Sequence, residues 1–383
     1  MTGLGTTQVA ATQNQRPEDA SSSAKPIRVM VADDSVVARV VARRALKAAP
    51  NIQVVAAAAD GQSAINRLPT ARPDVLILDI EMPIKSGLEA LPELLALDPA
   101  LKVVIVSSLT KRNADICMTA LRAGASDVLA KPASNPDAVA TFSAELCTKV
   151  LNLRSIPRPK QNSTGADAAL TARPRPTTRA STHNWGEIAA IAIGSSTGGP
   201  QALTATLNKW SAQGATQPVF ITQHMPPMFT RSLAEHIARV SGDIAREAVH
   251  GEVVDPGRIY LAPGDMHMQV ADKHGAIRIM LNDGALVNFC RPSVDPMLMS
   301  LTEAYGSRLL TVILTGMGKD GLRGVEVAAA AGSSVIVQDE ASRAVWGMPG
   351  AVANAGLAHE IIPIEFMADR LAELARGRRR HVA

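Results

Sequence analysis

The feature that most constrains this chain is an alternation that runs twice. Short apolar, β-branched runs alternate with stretches of helical spacing, first from Ile27 to about Val150 and again from Ile188 onward. Strands apolar on both faces belong in parallel sheets covered on both sides by helices. In the first half, strand-like runs stand at Ile27–Ala32, Ile52–Ala57, Val75–Leu78, Val103–Val106 and Val128–Ala130, with helical patterns over Ser35–Ala48 and Ser63–Leu68. In the second half, Ile188–Ile193, Val219–Thr222, Leu309–Leu314 and Ser334–Val337 read as strands. Helices are expected from Gln201, over Arg231–Val240 and over Leu322–Ala331. Four further runs, Ile244–Val249, Ile259–Ala262, Met268–Ala271 and Ile277–Leu281, are punctuated by glycines and suggest hairpins laid onto the sheet. Both halves are therefore expected to be α/β.

Between the halves the pattern dissolves. Residues 152–186 hold Pro157, Pro159, Pro174 and Pro176 among Arg, Ser and Thr, and read as a flexible linker. Residues 1–26 read as a disordered polar leader without the apolar core of a secretion signal. The expected organisation is leader 1–26, first domain 27–151, linker 152–186, second domain 187–376 and basic tail 377–383.

A formal net charge of +4 invites a nucleic-acid reading until the charges are located. The linker carries Arg154, Arg158, Lys160, Arg173, Arg175 and Arg179 against Asp167 alone, and Arg376, Arg378, Arg379 and Arg380 crowd the end. The remainder is net negative, so the basicity belongs to solvated segments, and no nucleic-acid partner is expected. No apolar run is long enough to span a bilayer. Cys117, Cys147 and Cys290 are scattered, with no C-x-x-C pair, which fits a reducing cytoplasm and neither a disulfide framework nor a zinc site.

In an open parallel sheet, function collects at the carboxyl ends of the strands. Asp33 and Asp34 follow the first strand, Asp79 closes the third, Ser107 the fourth and Lys131 the fifth. Converging carboxylates repel one another, and a Mg²⁺ ion, a hard cation that takes oxygen ligands, resolves the conflict. A phosphoryl group on Asp79 would then be neutralised by the metal and Lys131, with a hydrogen bond from Ser107. These residues resemble a response-regulator receiver domain, whose fold is a flavodoxin-like five-stranded parallel sheet. The resemblance implies phosphorylation of Asp79 by a histidine kinase, Mg²⁺ held by Asp33, Asp34 and Asp79, and Ser107 and Lys131 as switch residues. Val128 departs from the pattern, because receivers often carry an aromatic three positions before the lysine.

In the second half, Gly194-Ser195-Ser196-Thr197-Gly198 follows a strand and leads into a helix. With Ser196 central it matches G-x-S-x-G, a nucleophile elbow that projects a serine above the strand end. With Ser195 central the glycine flanks fail. A phosphate loop is the competing reading, but G-x-G-x-x-G spacing and a following lysine are both missing. A serine needs a base, and the base an orienting carboxylate. His224 follows the Val219–Thr222 run, with His250 and His267 as alternatives, and Asp320 follows the Leu309–Leu314 run. The order Ser, His, Asp differs from that of the α/β-hydrolases, although a doubly wound, mostly parallel hydrolase-like sheet with a β-hairpin is still the expected architecture.

Gly194–Pro200, Gln223–Arg231 and Leu314–Gly321 together resemble the chemotaxis protein-glutamate methylesterase family, as do Arg291–Asp295 and Trp346–Pro349, for which residue chemistry suggests no role. The resemblance implies a cytoplasmic, phosphorylation-activated serine hydrolase. It would remove methyl esters from glutamates of methyl-accepting chemoreceptors, release methanol, and deamidate receptor glutamines. It also implies Ser196 as nucleophile, His224 as base, Asp320 as orienting carboxylate, Thr197 and Met317 as oxyanion or supporting positions, and no metal in this domain. A DNA-binding regulator and a catalytically dead scaffold are the rival readings. The first lacks a helix-turn-helix pattern, and the second sits badly with a complete Ser–His–Asp set.

Overall fold

The computed structural model describes residues 25–153, 185–208, 210–214 and 216–377. The rest of the expected leader, linker and tail lies outside the described residues. The first unit runs β1 (Ile27–Ala32), α1 (Val36–Ala48), β2 (Ile52–Ala58), α2 (Gly61–Ala71), β3 (Val75–Asp79), α3 (Gly87–Leu97), β4 (Lys102–Ser107), α4 (Lys111–Arg122), β5 (Asp127–Ala130) and α5 (Pro136–Leu153). Its five strands pair in parallel in the order β2-β1-β3-β4-β5. The expected helix at Ser63–Leu68 begins earlier, at Gly61, because the Asp60 carboxylate accepts from Ser63 N at 2.7 Å and caps it. The last helix carries on through Leu153, two residues into the expected linker.

The second unit runs β6 (Ala190–Ser195), α6 (Gly199–Leu207), β7 (Val219–Gln223), α7 (Phe229–Ser241), β8 (Ala245–Glu247), β9 (Ile259–Leu261), β10 (His267–Lys273), β11 (Ala276–Asn282), α8 (Val294–Tyr305), β12 (Leu309–Ile313), α9 (Leu322–Ala330), β13 (Ser334–Gln338), α10 (Met348–Asn354), β14 (Glu360–Ile362) and α11 (Ile364–Ala375). Seven strands form one sheet in the order β14-β13-β12-β6-β7-β9-β8, with every neighbouring pair parallel. Of the four glycine-punctuated runs, only the last two make the expected hairpin, β10 with β11. The first two, β8 and β9, join the main sheet in parallel instead. Glycine spacing marks where a chain turns but not which neighbour a short strand finds. Periodicity singles out no element over 282–308 or beyond Val337, yet α8, α10 and α11 form there and pack against the sheet, and β14 extends its edge beside β13.

Both sheets have a switch point. In the first, β1 is flanked by β2 and β3, and the chain reverses its direction of growth between β1 and β3. In the second, the chain winds outward from β6 through β7, then returns to lay β12 on the other side of β6. Each reversal opens a crevice at the strand carboxyl ends. The two units also touch. The α4 helix of the first packs against α7 and α6 of the second, and one apolar cluster runs through both.

Candidate functional site

The first crevice gathers the acidic residues. Oxygens of Asp33, Asp34 and Asp79 all lie within 4.8 Å of one another. Lys131 Nζ reaches Asp79 Oδ2 at 2.7 Å and Asp33 Oδ2 at 3.1 Å. Burial pushes the Asp79 carboxyl up to about 6, against the pull of Lys131. Ser107 Oγ, at the end of β4, is buried with no hydrogen-bond partner. Three hard oxygen donors and an orphaned hydroxyl fit a divalent cation beside an acceptor carboxylate. Val128, in the usual aromatic place, is buried in the core of the sheet.

In the second crevice, Ser196 leaves the end of β6 and the chain turns through Gly198, at φ +76°, into α6. Ser195 is not an alternative nucleophile: its hydroxyl is buried and donates to Gln223 Oε1 at 2.7 Å. The same Gln223 side chain donates to Ser196 O at 2.9 Å and so braces the turn. Ser195 pairs with Gln223 across β6 and β7, which sets Ser196 and His224 on neighbouring strand ends. From the other side of β6, Thr315 O accepts from Ser196 N at 3.0 Å. Gly316 follows, so close that a Cβ there would lie 3.0 Å from Ser196 Cβ.

Asp320 reaches the crevice from the loop after β12. Its Oδ2 meets His224 Nε2 at 2.7 Å. Asp320 is only 2% exposed, and burial alone would raise its carboxyl. The bonds from His224, Val294 N at 2.6 Å and Ser293 Oγ at 2.7 Å outweigh that and hold it down to about 2. Asn288 Nδ2 adds a bond to Oδ1 at 2.8 Å. Burial opposes a charge on His224, but Asp320 on one ring nitrogen and Cys290 Sγ, 3.6 Å from Nδ1, raise it to about 10. Among the described contacts, no hydrogen bond joins Ser196 Oγ to His224. His250 and His267 turn elsewhere, their ring nitrogens meeting Leu281 O and Ala285 O.

The two motifs without a residue-level role acquire one here. Arg291 ties the loop down, bonding Asp265 and the carbonyls of Asp283 and Gly284. Ser293 bonds Asp320 directly, and Asp295 Oδ1 accepts from Gly324 N at the start of α9. The amides of Gly347 and Met348 both donate to Gly316 O and pin the loop beside Ser196. Sequence reasoning gave no role to Gln223 or Ser293, which lie in segments that carry the family resemblance, and did not single out Asn288 or Cys290 as neighbours of this crevice. Besides those segments, the adjacency of Gln223 to His224 was a signal.

The first unit closes on this crevice. Thr197 Oγ1 donates to Asp127 Oδ2 at 2.6 Å, both residues being buried. The same Asp127 oxygen holds Lys149 Nζ at 2.7 Å. Gln201 Nε2 donates to Ala125 O at 2.6 Å, and Ser232 Oγ to Asp115 Oδ1 at 2.8 Å. The Thr197 hydroxyl, expected as an oxyanion or supporting group, is therefore committed to the first unit. Met317 lies half-buried in the loop beyond Gly316.

Residues 29–142 match the response regulator receiver domain family, and residues 191–371 match CheB methylesterase. The chain is 46% identical to the protein-glutamate methylesterase/protein-glutamine glutaminase of group 2 operon of Rhodospirillum centenum, over 94% of this chain and 96% of that one. The chain belongs to the CheB methylesterase family. A second relative, the protein-glutamate methylesterase/protein-glutamine glutaminase of Azospirillum brasilense, is 47% identical over 89% of this chain and 90% of its own. Among solved structures, the CheB methylesterase catalytic domain of Thermotoga maritima aligns with 38% identity and a TM-score of 0.48, over 49% of this chain and all of that one. The family assignment accords with the α/β architecture of both units and with a receiver domain joined to a CheB catalytic domain. No helix among the described residues is long and apolar enough to cross a membrane.

Proposed function

We propose that this chain is a phosphorylation-activated protein-glutamate methylesterase, with a slower protein-glutamine deamidase activity, acting on methyl-accepting chemotaxis receptors. The observation that carries the proposal is the His224–Asp320 bond at 2.7 Å, with Ser196 at the end of the strand between theirs, β6, beside a switch point. In this reading Ser196 is the nucleophile. Asp320 holds His224 through Nε2, which leaves Nδ1 to take the Ser196 proton. The alkoxide attacks the ester carbonyl, the tetrahedral oxyanion collapses, and methoxide leaves as methanol with the proton from His224. Water, deprotonated by the same imidazole, then hydrolyses the acyl-serine and leaves a free glutamate. Glutamine follows the same course with ammonia as the poorer leaving group. The Ser196 amide is spent on Thr315 O, so oxyanion donors must come from other groups, with the Thr197 and Met317 positions as candidates.

The receiver is proposed as the switch. A histidine kinase supplies the phosphoryl group to Asp79. Asp33, Asp34 and Asp79 would hold Mg²⁺, which when bound offsets charge on the phosphoryl oxygens, while Lys131 and Ser107 contact that group. The docked arrangement is then the resting state. It holds Thr197 on Asp127 and keeps the receiver against the crevice. Phosphorylation would act through β4, α4 and β5, which carry both Ser107 and the docking residues Asp115 and Asp127, to favour release. Release frees Thr197 and opens the crevice to a receptor glutamate.

Methanol release from methylated receptor membranes, with and without a small-molecule phosphodonor, tests the proposal. Ser196→Ala should release none, and equal release by both proteins would refute the hydrolase reading. Asp79→Asn should lose the phosphodonor response.

A further inference from the structure

Cys290 lies in the hydrolytic crevice but has no part in the chemistry above. It sits between β11 and α8, at the end of a tight turn closed by paired amide–carbonyl bonds between Val287 and Cys290. Asn288 and Phe289 within the turn have φ of +52° and +63°, so the turn is specified by its surroundings. The Asn288 side chain bonds both Asp320 and Asp295, which anchors the turn over the crevice. Cys290 Sγ is thereby set 3.6 Å from His224 Nδ1, and His224 Nε2 is held by Asp320 at 2.7 Å. Thiol, imidazole and carboxylate stand in the order that activates a cysteine nucleophile. A second cation is near. The buried Lys149 of the receiver keeps its ammonium against the cost of burial through Asp127 and Glu145, with Cys290 also contributing.

The other two thiols contrast with it. Cys117 is buried and its thiol is pushed up to about 12 by burial. Burial likewise raises Cys147, which donates to Ala45 O at 3.2 Å. Cys290 is partly exposed. A partly exposed thiol beside a cationic imidazole is the setting in which cysteines react.

We propose that Cys290, paired with the His224 ring at Nδ1, is a site of reversible oxidation by hydroperoxides that turns the hydrolase off. The thiolate attacks one peroxide oxygen, an S–O bond forms and the O–O bond breaks. Sulfur is oxidised by two electrons and the peroxide reduced, and the leaving hydroxide takes the His224 proton to become water. The product is a sulfenic acid facing Nδ1. That oxygen hydrogen-bonds the ring nitrogen which Ser196 requires, so the base is occupied until a thiol reduces the sulfur. The effect on activity rests on His224 being the base, whereas the oxidation itself does not.

The full-length protein is treated with hydrogen peroxide, trapped with dimedone and mapped by peptide mass spectrometry. Cys290 should label at least about tenfold faster than Cys147 or Cys117. His224→Gln should slow that labelling by about tenfold or more. Methanol release should fall in step with the Cys290 label and return with dithiothreitol. Labelling no faster than at Cys147, or unchanged by His224→Gln, overturns the pair. Unchanged methanol release from fully labelled protein overturns the off-switch. Fast Cys290 labelling in a protein that never releases methanol upholds the pair and overturns the esterase reading instead.

Discussion

Gln201 offers a test of the resting state that leaves the catalytic side chains alone. It sits on α6, and its Nε2 crosses to the receiver, donating to Ala125 O at 2.6 Å and more distantly to Leu121 O at 3.3 Å. The substitution Gln201→Leu removes both bonds. Leu121 O also accepts from within its own helix, so the loss falls mainly on Ala125 O. A hydrogen bond of this kind contributes about 1 kcal/mol net, and a buried carbonyl left without a partner costs about 1–3 kcal/mol. Part of this is recovered, because Gln201 Oε1 is buried without a partner and leaves with the amide. Docking should weaken by about 1–2 kcal/mol, a factor of roughly 5–30 in the docked-to-released ratio. Methanol release without phosphodonor should rise by that factor, up to the phosphorylated ceiling. The phosphorylated rate should not move, since that state is already released. An unchanged basal rate in a folded variant would refute the view that this contact holds the enzyme off. An equal rise in both rates would show that Gln201 acts on the chemistry.

Three further outcomes are expected. Asp320→Asn should leave the fold intact but lower methanol release by about 10³–10⁴, as when a triad aspartate no longer fixes the imidazole, and a loss under tenfold would remove Asp320 from its assigned role. His224 is raised to about 10 in the docked form, so its stabilising effect is complete below its ordinary value of 6.5 and is lost as pH climbs through about 10. NMR of the ring carbons in the unphosphorylated protein should show imidazolium at neutral pH, and a neutral ring there would contradict this. Asp79 is raised to about 6 by burial, so its folded carboxyl binds a proton the unfolded chain gives up. Without divalent cation, stability should fall between about pH 4 and 7, by on the order of 2 kcal/mol. Asp79→Asn should abolish that slope in urea unfolding, and an unaltered slope would disprove the assignment.

Much of this protein is legible along the chain because the deciding relations are local. An apolar run between polar turns is a strand in a covered sheet whatever its neighbours, so the two α/β units follow from periodicity. A residue just after such a run stands at a strand end, which is why Asp33, Asp79, Ser107, Lys131, Ser196 and His224 could be singled out without coordinates. Elbow spacing chose Ser196 over Ser195, and the structure supplies a reason by burying the Ser195 hydroxyl against Gln223. Other features depend on which segments end up side by side. The three-residue strands β8 and β9 carry too little pattern to choose a partner, and the sheet edge chose for them. Asp320 is joined to Ser293 across 27 residues and to Asn288 across 32, and Thr197 to Asp127 across 70. Hydrophobic period and turn chemistry decide what each segment becomes. The meeting of Cys290 with His224, and of the receiver with the hydrolytic crevice, was decided only when the helices and loops packed.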